Sequence, residues 1–135
     1  MAFATTFMAS AQKRSVSCRI DSNGRGSVDL QVYLFEEVDE QPSYPGGERE
    51  MMKFINKERC YPEEAYNAGV QGRVLCSFIV QPDGAVSYIE VLRGVEKSLN
   101  DEAVRIISNM PKWSPGKVDG SNVPTYCILP ISFRK

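Results

Sequence analysis

Two pairs of adjacent carboxylates, Glu63-Glu64 and Asp101-Glu102, are the residues of this chain best suited to moving protons. Acid–base work by such a pair needs one protonated and one ionised member held at a fixed separation across a substrate. Each pair falls where a helix is expected to begin, and acidic side chains in a first turn meet the positive end of the helix dipole. That structural role takes precedence over catalysis. The other nucleophiles are Cys18, Cys60, Cys76 and Cys127, and their wide spacing contains no C-x-x-C pair. A zinc ribbon and a thioredoxin-type redox motif are thereby excluded. Cys76 and Cys127 are expected on the core faces of neighbouring strands, where a buried free thiol is the ordinary outcome and a cross-strand disulfide the alternative. No basic residue is placed to lower the pKa of either of these two thiols. The sequence has no histidine. Ser-His-Asp and Cys-His catalysis, histidine-ligated zinc and histidine pH switching are therefore excluded by inventory. No catalytic, cofactor-binding or metal-binding residue is assigned, and an enzyme ranks behind a binding module and a structural or adaptor protein.

Sixteen basic residues stand against 17 acidic ones, for a net charge of −1. This balance lacks the field that nucleic-acid and membrane-surface binders rely on. With 42% hydrophobic and 24% charged residues, 135 residues suit one globular domain. No apolar run is long enough for a membrane-spanning helix. Met1–Ala11 are uncharged and end in Ala9-Ser10-Ala11 before Gln12, the A-x-A shape of a signal-peptidase site. The expectation is the tail of a signal peptide, a mature chain starting at Gln12, and an exported protein.

The elements that must position any site follow from periodicity. Val16, Cys18 and Ile20, then Val28, Leu30, Val32 and Leu34, alternate with polar neighbours around a Gly/Asn-rich break at residues 21–26. These predict a hairpin within residues 12–40, which must dock on something because an isolated hairpin is marginal in water. Residues 36–47 are acidic and then rich in Pro and Gly, a junction to the main domain at 41–135. Glu48–Glu58 predicts an amphipathic helix with Met51, Met52, Phe54 and Ile55 on one side. Pro62 suits the first position of a second short helix that Gly69 ends. Residues 73–80 and 85–92 form strands around Gln81-Pro82-Asp83-Gly84. A helix from Leu99 to Met110, with Ser98 or Asn100 as its cap, precedes a last strand at 123–133.

The expected fold is thus α+β: a three-stranded antiparallel sheet with residues 73–80 central, packed by two helices, plus the extra hairpin. Only a central 73–80 strand lets both its neighbours run antiparallel to it, and its apolar character fits that place. Val74, Phe78, Ile106, Ile107 and Trp113 should share one core. The C-terminal strand is then an edge.

Tyr61-Pro62, Ala65, Gly69-Val70-Gln71-Gly72-Arg73-Val74, Phe78, Val80, Asp83-Gly84, Met110-Pro111-Lys112-Trp113, Pro115-Gly116-Lys117 and Pro130-Ile131-Ser132-Phe133 occur in the order of a known family. Over residues 41–135 the chain resembles the C-terminal domain of TonB, the periplasmic energy transducer of Gram-negative bacteria. Gln41-Pro42 and Tyr44-Pro45-Gly46-Gly47 are similar to the leading segment of Bacteroidetes members. The resemblance implies two helices layered on a three-stranded sheet. It also implies a non-enzymatic role: binding the TonB box, a short extended segment of outer-membrane receptors, as part of energy-coupled nutrient transport. In the family an N-terminal anchor and a long linker join the domain to the inner-membrane motor. Neither is found in these residues, so this chain alone is not expected to support receptor-driven uptake. The family's receptor-contacting stretch before Tyr-Pro reads Lys57-Glu58-Arg59-Cys60 here and is not reproduced residue for residue.

An open edge presents unpaired N–H and C=O groups to an extended peptide. Pro130, which has no N–H to give, belongs where that donor would face outward, so Ile128 and Ser132 face out with it. Tyr126, Ile128, Pro130 and Ser132, with Lys57, Glu58, Arg59 and Cys60, are therefore the candidate partner-binding residues. The expected partner is an outer-membrane receptor, with neither nucleic acid nor cofactor. The alternative is an envelope adaptor that forms a homodimer through the same strand.

Overall fold

A computed structural model describes residues 16–21 and 27–135. The expected signal segment and the tip of the N-terminal hairpin lie outside them. The described elements are, in order, β1 (Val16–Asp21), β2 (Ser27–Leu34), a 3-10 turn (Phe35–Glu37), α1 (Glu48–Glu58), α2 (Glu63–Asn67) and β3 (Gly72–Val80). There follow β4 (Val86–Arg93), α3 (Lys97–Ser108), β5 (Gly116–Val118), β6 (Ser121–Val123) and β7 (Thr125–Phe133).

β3 is central. It pairs antiparallel with β7 from Gly72↔Phe133 to Val80↔Thr125, and antiparallel with β4 on its other side. The period-2 pattern sends Val74, Cys76, Phe78 and Val80 under the helices, where they join Leu99, Ile106, Ile107, Trp113, Ile131 and Phe133 in one core. The β3–β4 turn is closed by Gly84 N–H donating to Gln81 O at 2.7 Å, with Gly84 at φ +92°. Bulges interrupt the β3–β4 register, and Tyr88 lies in the left-handed region at φ +51°.

The sheet is larger than the three antiparallel strands expected. Its order is β1-β2-β7-β3-β4, because the N-terminal hairpin docks on the C-terminal strand. β1 and β2 are antiparallel, while β2 runs parallel to β7 over Tyr33↔Thr125 and Leu34↔Tyr126. The physical reason lies on the face that the helices leave uncovered. There Val32 buries itself against Ile79 and the ring of Tyr126.

Several local expectations shift. Met52 is exposed while Ile55 is buried, so α1 presents a narrower stripe to the core than its apolar residues indicate. Pro62 is the N-cap of α2 and not its first helical residue, with Glu63 and Glu64 following in the first turn. Gly69, at φ +73°, turns the chain out of α2, and Val70 N–H closes the end on Ala65 O at 2.9 Å. α3 begins at Lys97, so neither Ser98 nor Asn100 caps it, and its first turn holds no acidic residue. Asn100 Oδ1 instead accepts from Val95 N–H at 3.0 Å, fixing the loop before the helix. Asp101 pairs with Lys97 at 2.7 Å, and Glu102 serves the latch described below. The last strand starts two residues later than expected, as β7 after Pro124, and Val123 instead ends β6, which the tight turn at Asp119 and Gly120, both at positive φ, joins to β5.

Candidate functional site

The outward-facing groups of β7 can be assigned from two contacts. Pro124 O accepts from Tyr33 N–H at 2.9 Å, and Ser132 O accepts from Arg59 Nη1 at 3.0 Å. Both partners lie on the side away from β3. Backbone direction alternates along a strand, so residues 124, 126, 128, 130 and 132 turn their polar groups outward, and Cys127, Leu129 and Ile131 bond to β3. β7 was expected to be open along its whole outer side. β2 covers it at Thr125 and Tyr126, so the edge opens only beyond them. Past Leu34 the pairing ends as the chain enters the 3-10 helix, which packs beside β7, and among the described residues no strand pairs with β7 from Ile128 to Ser132 on that side.

This open stretch runs between two cavities. On the helix side, one of about 260 Å³ is walled by Phe35, Tyr44, Met51, Phe78, Trp113 and β7 residues 127–129, with Glu48 at its rim. On the opposite face, another of about 370 Å³ lies between Leu34, Phe35, Glu36, Tyr126 and Ile128. Ile128 is 53% exposed and borders both. Pro130 is exposed, and Ser132 and Tyr126 are half-buried.

The Lys57–Cys60 segment meets β7 through one residue. Arg59 spans from Asn56 Oδ1 (2.6 Å) to Ser132 O and so occupies the far end of the edge. Glu58 and Cys60 face α3 instead. Arg105 donates to Glu58 O at 2.7 Å and forms an ion pair with Glu58 at 3.4 Å, while Cys60 N–H donates to Glu102 Oε2 at 2.7 Å. Burial alone would push the Glu102 carboxyl up. Hydrogen bonds from Arg105 and Cys60, with the Arg105 charge, outweigh it and hold the pKa below its ordinary value. A depressed carboxyl pKa contributes stability above its unfolded value and loses it as pH falls through the folded one, so this latch weakens in acid. Lys57 is exposed at the end of α1. Next to the segment, Tyr61 OH donates to Val70 O and its ring stands edge-on to Phe133 at 5.7 Å, fixing residues 57–61 against the end of β7.

The sequence reading missed the cavity on the helix side. Phe35, Tyr44 and Met51 come from segments that reach β7 only through long-range bonds, such as Ser43 N–H to Ser114 O (3.0 Å) and its reciprocal (2.8 Å). The Tyr-Pro-Gly-Gly run was the available signal.

Cys76 and Cys127 are both buried free thiols, pushed by burial to pKa values of about 11 and about 12. Cys60 is exposed. At pH 8 a thiol reagent should therefore modify Cys60 rapidly in the native protein and leave Cys76 and Cys127 intact until the chain unfolds, as peptide mapping would show. Modification of all three at one rate would contradict this burial. Among the described residues no cluster could hold a metal ion, and no helix is long and apolar enough to cross a membrane.

No curated protein matches the sequence. Solved structures do. The C-terminal domain of Helicobacter pylori TonB, determined in solution, is 27% identical, covers 67% of this chain and 86% of its own, and has a TM-score of 0.50. A shorter form of it is 26% identical, covering 63% and 89%, with a TM-score of 0.48. The corresponding domain of Pseudomonas aeruginosa TonB is 22% identical, covers 57% and 80%, and scores 0.42. The family described as "Gram-negative bacterial TonB protein C-terminal" matches residues 57–134, more than half of the chain. With that span and the sheet-and-helix order above, this protein belongs to the TonB C-terminal domain family.

Proposed function

We propose that this protein is a non-enzymatic strand-capturing module of the Gram-negative periplasm. In this reading an extended, TonB-box-like segment of an outer-membrane receptor adds as a further strand to the outer edge of β7, serving nutrient transport. The observation that supports it is the stretch from Ile128 to Ser132, open on its outer side and flanked by a cavity on each face. A captured strand takes N–H donors from Ile128 and Ser132 and only a carbonyl from Pro130. The ladder therefore has one gap, and side chains entering the two cavities must contribute the rest of the affinity. Arg59 holds the Ser132 carbonyl, so a strand reaching that far replaces a guanidinium hydrogen bond with one of its own.

The test is amide exchange with and without a peptide carrying a receptor's TonB box. Protection should appear at Ile128 and Ser132. Protection only along β4 would refute this mode of capture. Ile128→Pro removes an outward donor that β3 does not use, so the sheet tolerates it. Affinity should nevertheless fall about tenfold or more, since one hydrogen bond is lost and the ring obstructs the incoming backbone. An unchanged affinity would place the site elsewhere. If the protein instead forms dimers that Ile128→Pro dissociates, the same edge serves self-association and the receptor reading falls.

A further inference from the structure

The open edge of β7 carries opposite charges at its two ends. At the Ile128 end, among the described residues, each flanking cavity has one charged residue in its wall: Glu48 on the helix side and Glu36 on the other. Both are exposed carboxylates. At the Ser132 end the charges are positive. Arg59 reaches the edge from the segment between α1 and α2 and donates to Ser132 O at 3.0 Å. Arg73 lies opposite Ser132 in the β3–β7 register, so its exposed side chain stands on the same face as that of Ser132. Glu36 borders this same face.

Among the described residues, none of Glu36, Glu48, Arg59 and Arg73 forms an ion pair. Glu58, next to Arg59 in sequence, is turned to Arg105 instead. Nor do the two ends neutralise each other. Four residues of strand hold them about 13 Å apart, beyond the screening length of about 8 Å at physiological salt.

A strand added to this edge lies about 4.8 Å from β7 and passes both ends. Its residues opposite Ile128 and Ser132 are four apart, so side-chain alternation puts both on the face of Glu36 and Arg73. A cation at the first place and a carboxylate at the second meet opposite charges. The reverse arrangement meets like charges at both. Arg59 adds to the discrimination because its guanidinium sits at the edge itself. Ser132 O and Asn56 Oδ1 each take one of its N–H groups, and others remain for a carboxylate. Complementarity of this kind fixes partner choice and register more than raw affinity.

We propose that the open edge of β7 selects a dipolar strand, with a lysine or arginine beside Glu36 and Glu48 and, four residues away, an aspartate or glutamate beside Arg59 and Arg73. This inference rests on capture at β7 and adds which charges the captured segment carries and where each of them lies.

Three peptides with acetylated and amidated ends test it against the full chain, all sharing one valine- and threonine-rich core. Two carry lysine and aspartate four residues apart, in opposite orders, and the third has glutamine at both places. At low salt the better of the charged two should bind about fivefold to tenfold more tightly than the glutamine peptide, the scale of two exposed ion pairs. That advantage should vanish in about 1 M salt, where screening acts within about 3 Å. A nitroxide beside the aspartate should broaden the amide resonances of Arg59 and Arg73 and spare that of Glu36. Glu36→Lys combined with Arg73→Glu alters only exposed side chains and should remove the advantage. Should that variant fail to fold, the salt dependence and the nitroxide on the unaltered chain still decide. If the glutamine peptide protects Ile128 and Ser132 while neither charged peptide binds more tightly, this inference is overturned and capture stands. Broadening at Glu36 by the aspartate label has the same meaning. If none of the three peptides protects β7, capture falls and this inference falls with it.

Discussion

Phe78→Ala should lower the free energy of unfolding by about 3–5 kcal/mol. Phe78 is 1% exposed on the central strand, and its ring packs against Trp113. Deleting it removes the hydrophobic contribution of a buried ring and leaves a void. The surroundings are poorly placed to collapse into that void. Cys127 opposite is held by the β3–β7 ladder, and Trp113 is held by Gly84. The new void would also merge with the cavity that Phe78 already borders, which enlarges the unfilled space. Against the ~5–15 kcal/mol that stabilises a whole domain, this loss is large. Urea unfolding of the variant and parent checks it through the shift in midpoint at constant slope. A loss under about 1 kcal/mol would mean that the core rearranges around Cys76 and Val80, contrary to the rigid packing seen here.

Gly84→Ala should cost about 2–5 kcal/mol, from two sources that a companion variant separates. At φ +92° an L side chain is strained, by roughly 1–2 kcal/mol. A Cβ there would also lie 2.2 Å from the Trp113 carbonyl oxygen, a backbone atom that cannot swing aside. Moving it would disturb the hydrogen bond from Trp113 N–H to Gly84 O, and overpacking of this kind costs about 1–3 kcal/mol. Gly120, at φ +80°, carries the conformational cost alone, since nothing lies within 4 Å of its Cβ position. Gly120→Ala should therefore be the milder change, by the size of the clash. Equal losses in thermal unfolding would show that the turn relaxes freely and that Trp113 is not anchored through it.

Local pattern carried much of this fold. Glu48–Glu58 is a helix with the limits its periodicity predicts, Asp83-Gly84 turns the central hairpin, and the apolar alternation of residues 74–80 buries one face of β3. The start of α3 was misjudged because Ser98 and Asn100 resemble caps by type. Which hydroxyl or amide caps a helix depends on where the preceding loop brings the chain, and here Asn100 holds that loop. Partner choice in the sheet was legible for β3, whose neighbours follow from chain direction. It was not legible for β2, because its alternation states that one face is apolar without stating which strand completes it. The candidate site divides in the same way. The outward phase of β7 can be read from Pro130, whereas the meeting of Arg59 with Ser132 joins residues distant in sequence. So does the assembly of the cavity from Phe35, Tyr44 and Trp113, which only the folded chain brings together.

The parallel pairing of β2 with β7 has a consequence for the order in which the protein is made. The register joins Tyr33 to Thr125, and thus an early strand to the last one. β3 and β4 are joined by a tight turn and can pair as soon as both exist, a contact of low sequence separation. In a nascent chain, by contrast, β1 and β2 emerge well before the strand they dock on has been synthesised. A two-stranded hairpin alone is marginal in water, so it gains its lasting neighbour only once β7 has been made. The apolar face that Val32 later buries against Ile79 and Tyr126 therefore waits until β7 is available, and β7 then joins the hairpin on one of its edges to β3 on the other.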